Sequence, residues 1–399
     1  MTDRLEDGVI DTLRRWYALA VPPRVRQPVS RLRRALWAHL APLRSLGTHD
    51  AVGQELGARG TLGPARRLLR LASRLDERSQ ALVLGQWLEP IVRRGWHLEH
   101  FALWERMGFH VTPNHFHQPI PDSGALPEAL WTRQSEMVGV DMNEPFQLHL
   151  LQDAFPRFHD EYRHFAREKT RVPHEFYYNN GFFNGADAPI LYCMVRHFRP
   201  KRIIEIGSGF STMISAAAAL RNGHTELIAI EPHPGDLLRA GFPGLSALIP
   251  QKVEEVDPML FSTLQSGDIL FVDSSHAVRT GGDVTFIYLE LLPRLPDGVV
   301  VHFHDIFLPR EYPREWVVDK RIFWTEQYLL HAFLLFNRAF RVILSTVFMG
   351  ERHPEKLRAA FPECPWWGGA SFWIQRRFGD GDGRPVDRAG ALSSTPPSP

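Results

Sequence analysis

From Arg202 onward, short apolar runs alternate with stretches whose apolar residues recur every three or four positions. RIIEI (202–206), ELIAIEP (226–232), SALIPQ (246–251), DILFVDSS (268–275), VVVHFHDI (299–306), RVILSTVF (341–348) and SFWIQRR (371–377) read as strands. STMISAAAAL (211–220), a short segment near Asp236, DVTFIYLELLPRL (283–295) and TEQYLLHAFLLFN (325–337) read as the helices between them. This alternation predicts an α/β fold: a doubly wound, mainly parallel sheet covered on both faces, with ligands at the carboxyl ends of its strands.

Upstream the period is helical. ARRLLRLASRL (65–75) and SQALVLGQWLEPIV (79–92) carry apolar residues at spacings of three and four, so residues 1–110 are expected to form a helical N-terminal extension. The proline-rich TPNHFHQPIPDSGALP (112–127) opens a connector and helical segment over 111–175, its helix broken near Pro156. The main domain is expected over 176–378. Residues 379–399, rich in Gly, Asp, Pro and Ser, are expected to be a disordered tail, and the GDGDG within it lacks the remaining ligands of a calcium loop.

The composition narrows the class. At 399 residues, 44% hydrophobic and 23% charged, the chain suits a soluble globular protein. A formal charge of +1 gives no reason to expect nucleic acid as a partner. The first hundred residues hold 17 Arg and no Lys against 10 carboxylates. Arg24 to Arg34 with Trp37 suits a basic amphipathic surface, although Arg outnumbers Lys along the whole chain, which favours a plain compositional bias. Cys193 and Cys364 are the only cysteines, which excludes a disulfide framework, and Cys193 reads as a small core residue. With no signal-type core and no run of about 20 apolar residues, the expectation is a cytoplasmic protein with no transmembrane segment. Oligomeric state is not legible.

The candidate chemistry begins at RIIEIGSGFS (202–211). A strand, a glycine turn, a helix and a second strand ending in Glu231 form a recipe for holding adenosine: Gly207 and Gly209 admit close backbone approach, and Glu231 accepts from the ribose hydroxyls. The turn reads G-S-G-F-S-T, so the last glycine of a dinucleotide fingerprint is missing, and Glu205 before it suits a cationic amino-acid group better than a phosphate. Both features favour S-adenosylmethionine, with Glu205 or a nearby carbonyl facing its charged end.

A second constellation lies at the ends of the fourth and fifth strands. Asp273 and His276 follow one, and His302, His304 and Asp305 lie on the other, so the two aspartates are expected to meet beside the cofactor. Two models follow. His276 or His304 acts as general base, the first expectation, or a divalent metal on Asp273, His304 and Asp305 lowers the pKa of an acceptor hydroxyl. His302, on the same strand face as His304, is expected to support it from one layer below. His115 and His117 suit packing or substrate contact better than a metal. The aromatic and asparagine-rich Phe176–Pro189 reads equally as a loop over a ligand, with Asn184 or Asp187 near the helix start, and as an aromatic plug with a helix cap. Phe307–Trp324 reads as a lid whose wall residues are Tyr312, Trp316 and Trp324, with Arg310 or Arg314 for an acidic group.

From about Phe176 to Arg376 the chain resembles class I S-adenosylmethionine-dependent methyltransferases, and within them a bacterial subgroup acting on small molecules. EIGSGFS is similar to that family's first motif, with Ser211 at the third glycine position; IAIEP is similar to its acidic second strand; and FVDSSHAVRTGGDV, the stretch ending in VVVHFHDIFLPREYP, and GGASFWIQR continue the match. The resemblance implies a Rossmann-like methyltransferase sheet. It implies a cofactor site of Glu205, Gly207, Gly209, Ser211, Glu231 and Asp273. His276, His304 and Asp305 stand as the catalytic candidates, and the resemblance implies a metal site like that of catechol-type enzymes, which use magnesium. His304 stands where that group has a carboxylate or amide, and imidazole suits zinc, manganese or iron. The expected reaction is methyl transfer to a small-molecule hydroxyl. A cofactor-binding scaffold that recruits a partner or membrane, and a metal-dependent hydroxylase, are the alternatives.

Overall fold

The computed structural model describes residues 75–377. The expected helix over 65–75, the Arg24 to Arg34 surface, GDGDG and the tail lie outside the described residues. The chain divides into two compact units, Met1–Pro121 and Asp122–Pro399.

In the first unit, helix α1 (Glu77–Arg93) starts at Asp76, whose carboxylate accepts from the Ser79 backbone N–H at 3.0 Å and from its hydroxyl at 2.7 Å. That satisfies an amide left free by the helix start. His115 and His117 are exposed, with their rings stacked 5.2 Å apart. They pack on each other and belong to no metal-ligand group among the described residues.

The second unit is built on a seven-stranded sheet: β1 (Arg202–Ile206), β2 (Glu226–Ile230), β3 (Ala247–Ile249), β4 (Ile269–Val272), β5 (Val300–Phe303), β6 (Phe340–Ser345) and β7 (Phe372–Arg376), in the order β3-β2-β1-β4-β5-β7-β6. The first five run parallel, and β7 lies antiparallel between β5 and β6. All seven expected strands are present, although RVILSTVF turns helical after Ser345.

Strand alternation explains both covered faces. Ile203, Leu227, Ile269 and Phe271 enter one core with helices α2 (Asp187–Phe198) and α3 (Phe210–Asn222). Ile204, Ile206, Ile230, Leu270, Val272, Val301 and Phe303 enter the other, against Val284, Ile287 and Leu330. Successive side chains of a strand point to opposite faces, so strands covered on both sides must be apolar throughout. Cys193 is fully buried in the first core, as expected.

The helices are less regular than their period suggests. α4 (Asp236–Ala240) is a short turn, and α5 (Asp283–Phe286) passes into a π-turn (Ile287–Leu291) and a 3₁₀ turn (Leu292–Arg294). α6 (Glu326–Leu334) precedes β6. The expected break near Pro156 is a 3₁₀ turn, Phe155–Phe158.

What positions a site is the pairing of β1 with both β2 and β4. The chain leaves β1 in one direction and returns on its other side, so the loops diverge and open a crevice beyond the strand ends.

Candidate functional site

The glycine turn follows β1 at this switch point. Gly207 has φ +77°, and a Cβ there would lie 1.7 Å from the carbonyl oxygen of Asp273. The glycine is therefore demanded by the close approach of the β4 end. A Cβ on Gly209 would meet nothing within 4 Å, so its face is open to a ligand. Glu231, half-buried after β2, accepts from Ser208 N at 3.2 Å and His233 N at 2.8 Å, which fixes its carboxylate against the turn.

Glu205 and Ser211 take a different part from the one expected. Glu205 is fully buried, and its Oε1 accepts from the Ser211 hydroxyl at 2.6 Å and the Thr212 hydroxyl at 3.0 Å. Strand β1 is thereby tied to the first turn of α3, and Ser211 faces inward. Burial pushes the Glu205 carboxyl up to about 8, with the two hydroxyls opposing. Glu205 Oε2, Ser208 Oγ and Ser274 Oγ are buried without a hydrogen-bond partner. Such groups are costly in isolation, and all three sit at or just past the carboxyl ends of β1 and β4, where a bound polar ligand would satisfy them.

On its other side the structure brings Asp273, His276, His304 and Asp305 together. His276 Nε2 lies 3.2 Å from Asp273 and 3.6 Å from Asp305, and His304 Nδ1 lies 3.7 and 3.6 Å from the same two carboxylates. Adjacent parallel strands cause this, because Val272 on β4 is in register with Phe303 on β5. One ligand atom from each of Asp273, His304 and Asp305 lies within 4.8 Å of the others, so these residues fit a cation held by oxygen and imidazole.

Each histidine is backed by a buried carboxylate. Asp187, at the start of α2, lies 3.4 Å from His304 Nε2 and is itself fixed by Thr346 Oγ1 (2.8 Å), Ala370 N (2.7 Å) and Ser371 N (3.1 Å). His304 thus turns Nδ1 toward the two aspartates, an outer-shell arrangement common behind metal ligands. Glu326, the first residue of α6, accepts from His276 Nδ1 at 2.9 Å. Asp187 was visible in the sequence as a polar residue at a helix start. Glu326 was missed, since its only local signal is an acid in a first helical turn, which serves capping equally well.

The charges follow from these contacts. Burial opposes a cationic His304, but Asp305 and Asp273, then Asp187, hold its ring well above the usual imidazole range. Burial likewise opposes His276, and Asp273 and Glu326 bring it to about 10. For Asp273 burial works against ionisation, yet His304 and His276 hold its carboxyl well below the usual carboxylate range. His302 differs: burial first, then the His304 charge, pushes it well below its usual value. It lies 5.8 Å from the His304 ring, yet its hydrogen bond goes to Ser371 Oγ at 3.0 Å. Its ring sits between Phe271 and Trp373 as packing.

The flanking segments close around this cluster. In Phe176–Pro189 the aromatic plug prevails for Phe183, which is buried 4.7 Å from the His304 ring, while Phe182 stays exposed and stacks on Phe210. In Phe307–Trp324, Trp324 covers His276 at 4.3 Å, Trp316 lies edge-on to Trp324 at 5.3 Å, and Tyr312 is buried beside them. Arg310 pairs with Glu351, and Arg314 lies 3.5 Å from Glu128, so each already faces a carboxylate.

A doubly wound sheet with a polar crevice at its switch point and a carboxylate closing the second strand defines a nucleoside-cofactor domain. Residues 204–306 match the family described as a methyltransferase domain. Over 180 residues the chain is 34% identical to an uncharacterized protein of Archaeoglobus fulgidus, covering 42% of this chain and 81% of that protein. The chain belongs to the class I S-adenosylmethionine-dependent methyltransferase family. Among the described residues no helix is long and apolar enough to cross a membrane.

Proposed function

We propose that this domain moves a methyl group from S-adenosylmethionine to a hydroxyl oxygen of a small-molecule acceptor, with Asp273, His304 and Asp305 holding a divalent cation. The observation that carries the reading is the convergence of those three ligand atoms within 4.8 Å, beside the crevice that Glu231 and the glycine turn border. S-adenosylmethionine supplies an electrophilic methyl, and a cation on the three residues would supply a lowered acceptor pKa.

The protein's own part is to place and exclude. Glu231 presents a fixed carboxylate to the ribose, and the open face of Gly209 admits the cofactor. Trp324 and Trp316 keep water from the His276 side. As the new C–O bond forms and the methyl–sulfur bond breaks, the acceptor must lose its hydroxyl proton. Held between Asp273 and Glu326, His276 is kept protonated and has no lone pair to accept that proton. His304 is likewise kept protonated by the carboxylates around it, so a cation binding there must displace the proton from its ligating nitrogen. This supports the cation over His276 as base, with the proton of a cation-bound hydroxyl passing to solvent.

The test is radiolabelled methyl transfer to hydroxyl, amine and carbon acceptors, with chelator and then with added Mn²⁺ or Mg²⁺. Hydroxyl methylation lost in chelator and restored by the ion is expected. Full turnover in chelator would overturn the cation, and methylation of amines alone would overturn the oxygen acceptor.

A further inference from the structure

We infer that Glu326 is a positioning residue that fixes the His276 ring with Nε2 facing the Asp273 and Asp305 carboxylates, coupling that ring to the end of the 307–325 loop. This role deepens the proposed reaction and rests on it only where turnover is measured.

The starting point is the backbone of His276. Its φ is +57°, in the left-handed region that non-glycine residues seldom adopt. Such a conformation is strained and persists only where the surroundings over-determine it. Here they do. The His276 carbonyl accepts from Thr325 N at 2.9 Å and from Glu326 N at 3.0 Å, while Thr325 Oγ1 accepts from Val278 N at 2.8 Å. The strand-end loop carrying His276 is thus stitched to the start of α6.

The side chain is held by the same residue. Glu326 is 1% exposed, and its Oε2 takes Nδ1–H at 2.9 Å. With Nδ1 committed to Glu326, Nε2 is the nitrogen left to face Asp273 at 3.2 Å and Asp305 at 3.6 Å. Trp324, two residues before Glu326, lies over the ring at 4.3 Å. Main-chain carbonyl, ring nitrogen and ring face are therefore all engaged by residues 324–326. A buried carboxylate that chooses which imidazole nitrogen faces the reaction is a general device for orienting a histidine.

A capping role alone predicts something different. A glutamate that merely favours the first turn of α6 would be replaced by glutamine with little consequence for stability and none for the ring. An orienting glutamate changes the ring even when the fold is unaltered.

The experiment uses the full-length chain with ¹⁵N-labelled histidine. The His276 ring N–H resonance is assigned by its loss in His276→Asn and followed in Glu326→Gln and Glu326→Ala. Wild type should show an exchange-protected Nδ1–H signal that shifts in Glu326→Gln and disappears in Glu326→Ala. S-adenosylhomocysteine affinity by calorimetry should stay within about twofold in both variants, because the Glu326 carboxylate engages His276 rather than the glycine turn or Glu231. Where an acceptor is turned over, Glu326→Gln should lower kcat by about 10–100-fold with the KM for S-adenosylmethionine unchanged. An unshifted, equally protected resonance in Glu326→Gln overturns the inference, and if Glu326→Ala does not fold, that glutamine variant alone decides. The resonance is read without turnover, so the proposed reaction can fail while the orientation of the ring stands, and the reverse.

Discussion

Two carboxylates on neighbouring strands, Glu205 on β1 and Asp273 just after β4, show how differently one sheet edge treats the same chemical group. Glu205 is fully buried with only the hydroxyls of Ser211 and Thr212 for partners, and its carboxyl rises to about 8. Asp273 faces the His276 and His304 rings, which pull its carboxyl well below the usual range against its burial. Burial alone does not determine the charge; the partner does. The glycine-turn side is accordingly neutral and structural at its centre, and the β4–β5 side is a dense set of opposite charges.

The contact between the two sides is Gly207, and it gives the largest expected effect. Gly207→Ala places a methyl against the Asp273 carbonyl in a left-handed conformation, and should cost more than about 2 kcal/mol in a denaturant titration. Gly209→Ala should change stability by less than about 1 kcal/mol while weakening S-adenosylhomocysteine binding. Equal stability losses for the two would break the distinction between a glycine required by the fold and one required by the ligand.

The next effect separates binding from chemistry. Asp273→Asn should reduce methyl transfer by at least about 100-fold and leave S-adenosylhomocysteine affinity within about threefold. Glu231→Ala should do the reverse to binding, weakening it by about 10–100-fold in calorimetry for the loss of hydrogen bonds to a charged group. Parallel losses of affinity in both variants would show that the two sides act as one.

The smallest effect is in pH. Glu205 has a raised folded value, so between about pH 4.5 and 8 the native state holds a proton that the unfolded chain has released, and stability falls as pH rises through that window. Asp273 has the opposite sign: its contribution is present above 3.8 and lost as pH falls below it. Urea midpoints should therefore show Glu205→Gln gaining on wild type as pH rises toward 8, and Asp273→Asn gaining as pH falls below 3.8. Identical pH profiles for both variants would remove the electrostatic contrast.

The sheet was legible because each parallel strand is a continuous apolar run, and RIIEI and DILFV carry that signal within five residues. The convergence of Asp273, His276, His304 and Asp305 was also legible, since strand ends in a parallel sheet share one edge. The role of Glu205 was not. Its position before a ligand turn is plain in the sequence, but whether it faces a ligand or α3 depends on where the Ser211 and Thr212 hydroxyls point. The need for Gly207 is legible too, though only half its reason is, because the Asp273 carbonyl lies 66 positions downstream.

By itself, then, the sequence determined the periodic pattern, the order of strands and helices, and which residues end each strand, because these depend on neighbours within a few positions. The tertiary structure decided which of those residues touch. Asp187 reached His304, Glu326 reached His276, and Trp324 covered it, across separations of 117, 50 and 48 positions. Contacts at such distances depend on how helices dock on the sheet, and with them go the protonation states, since a charge a few ångströms away shifts a buried group more than anything in its own segment.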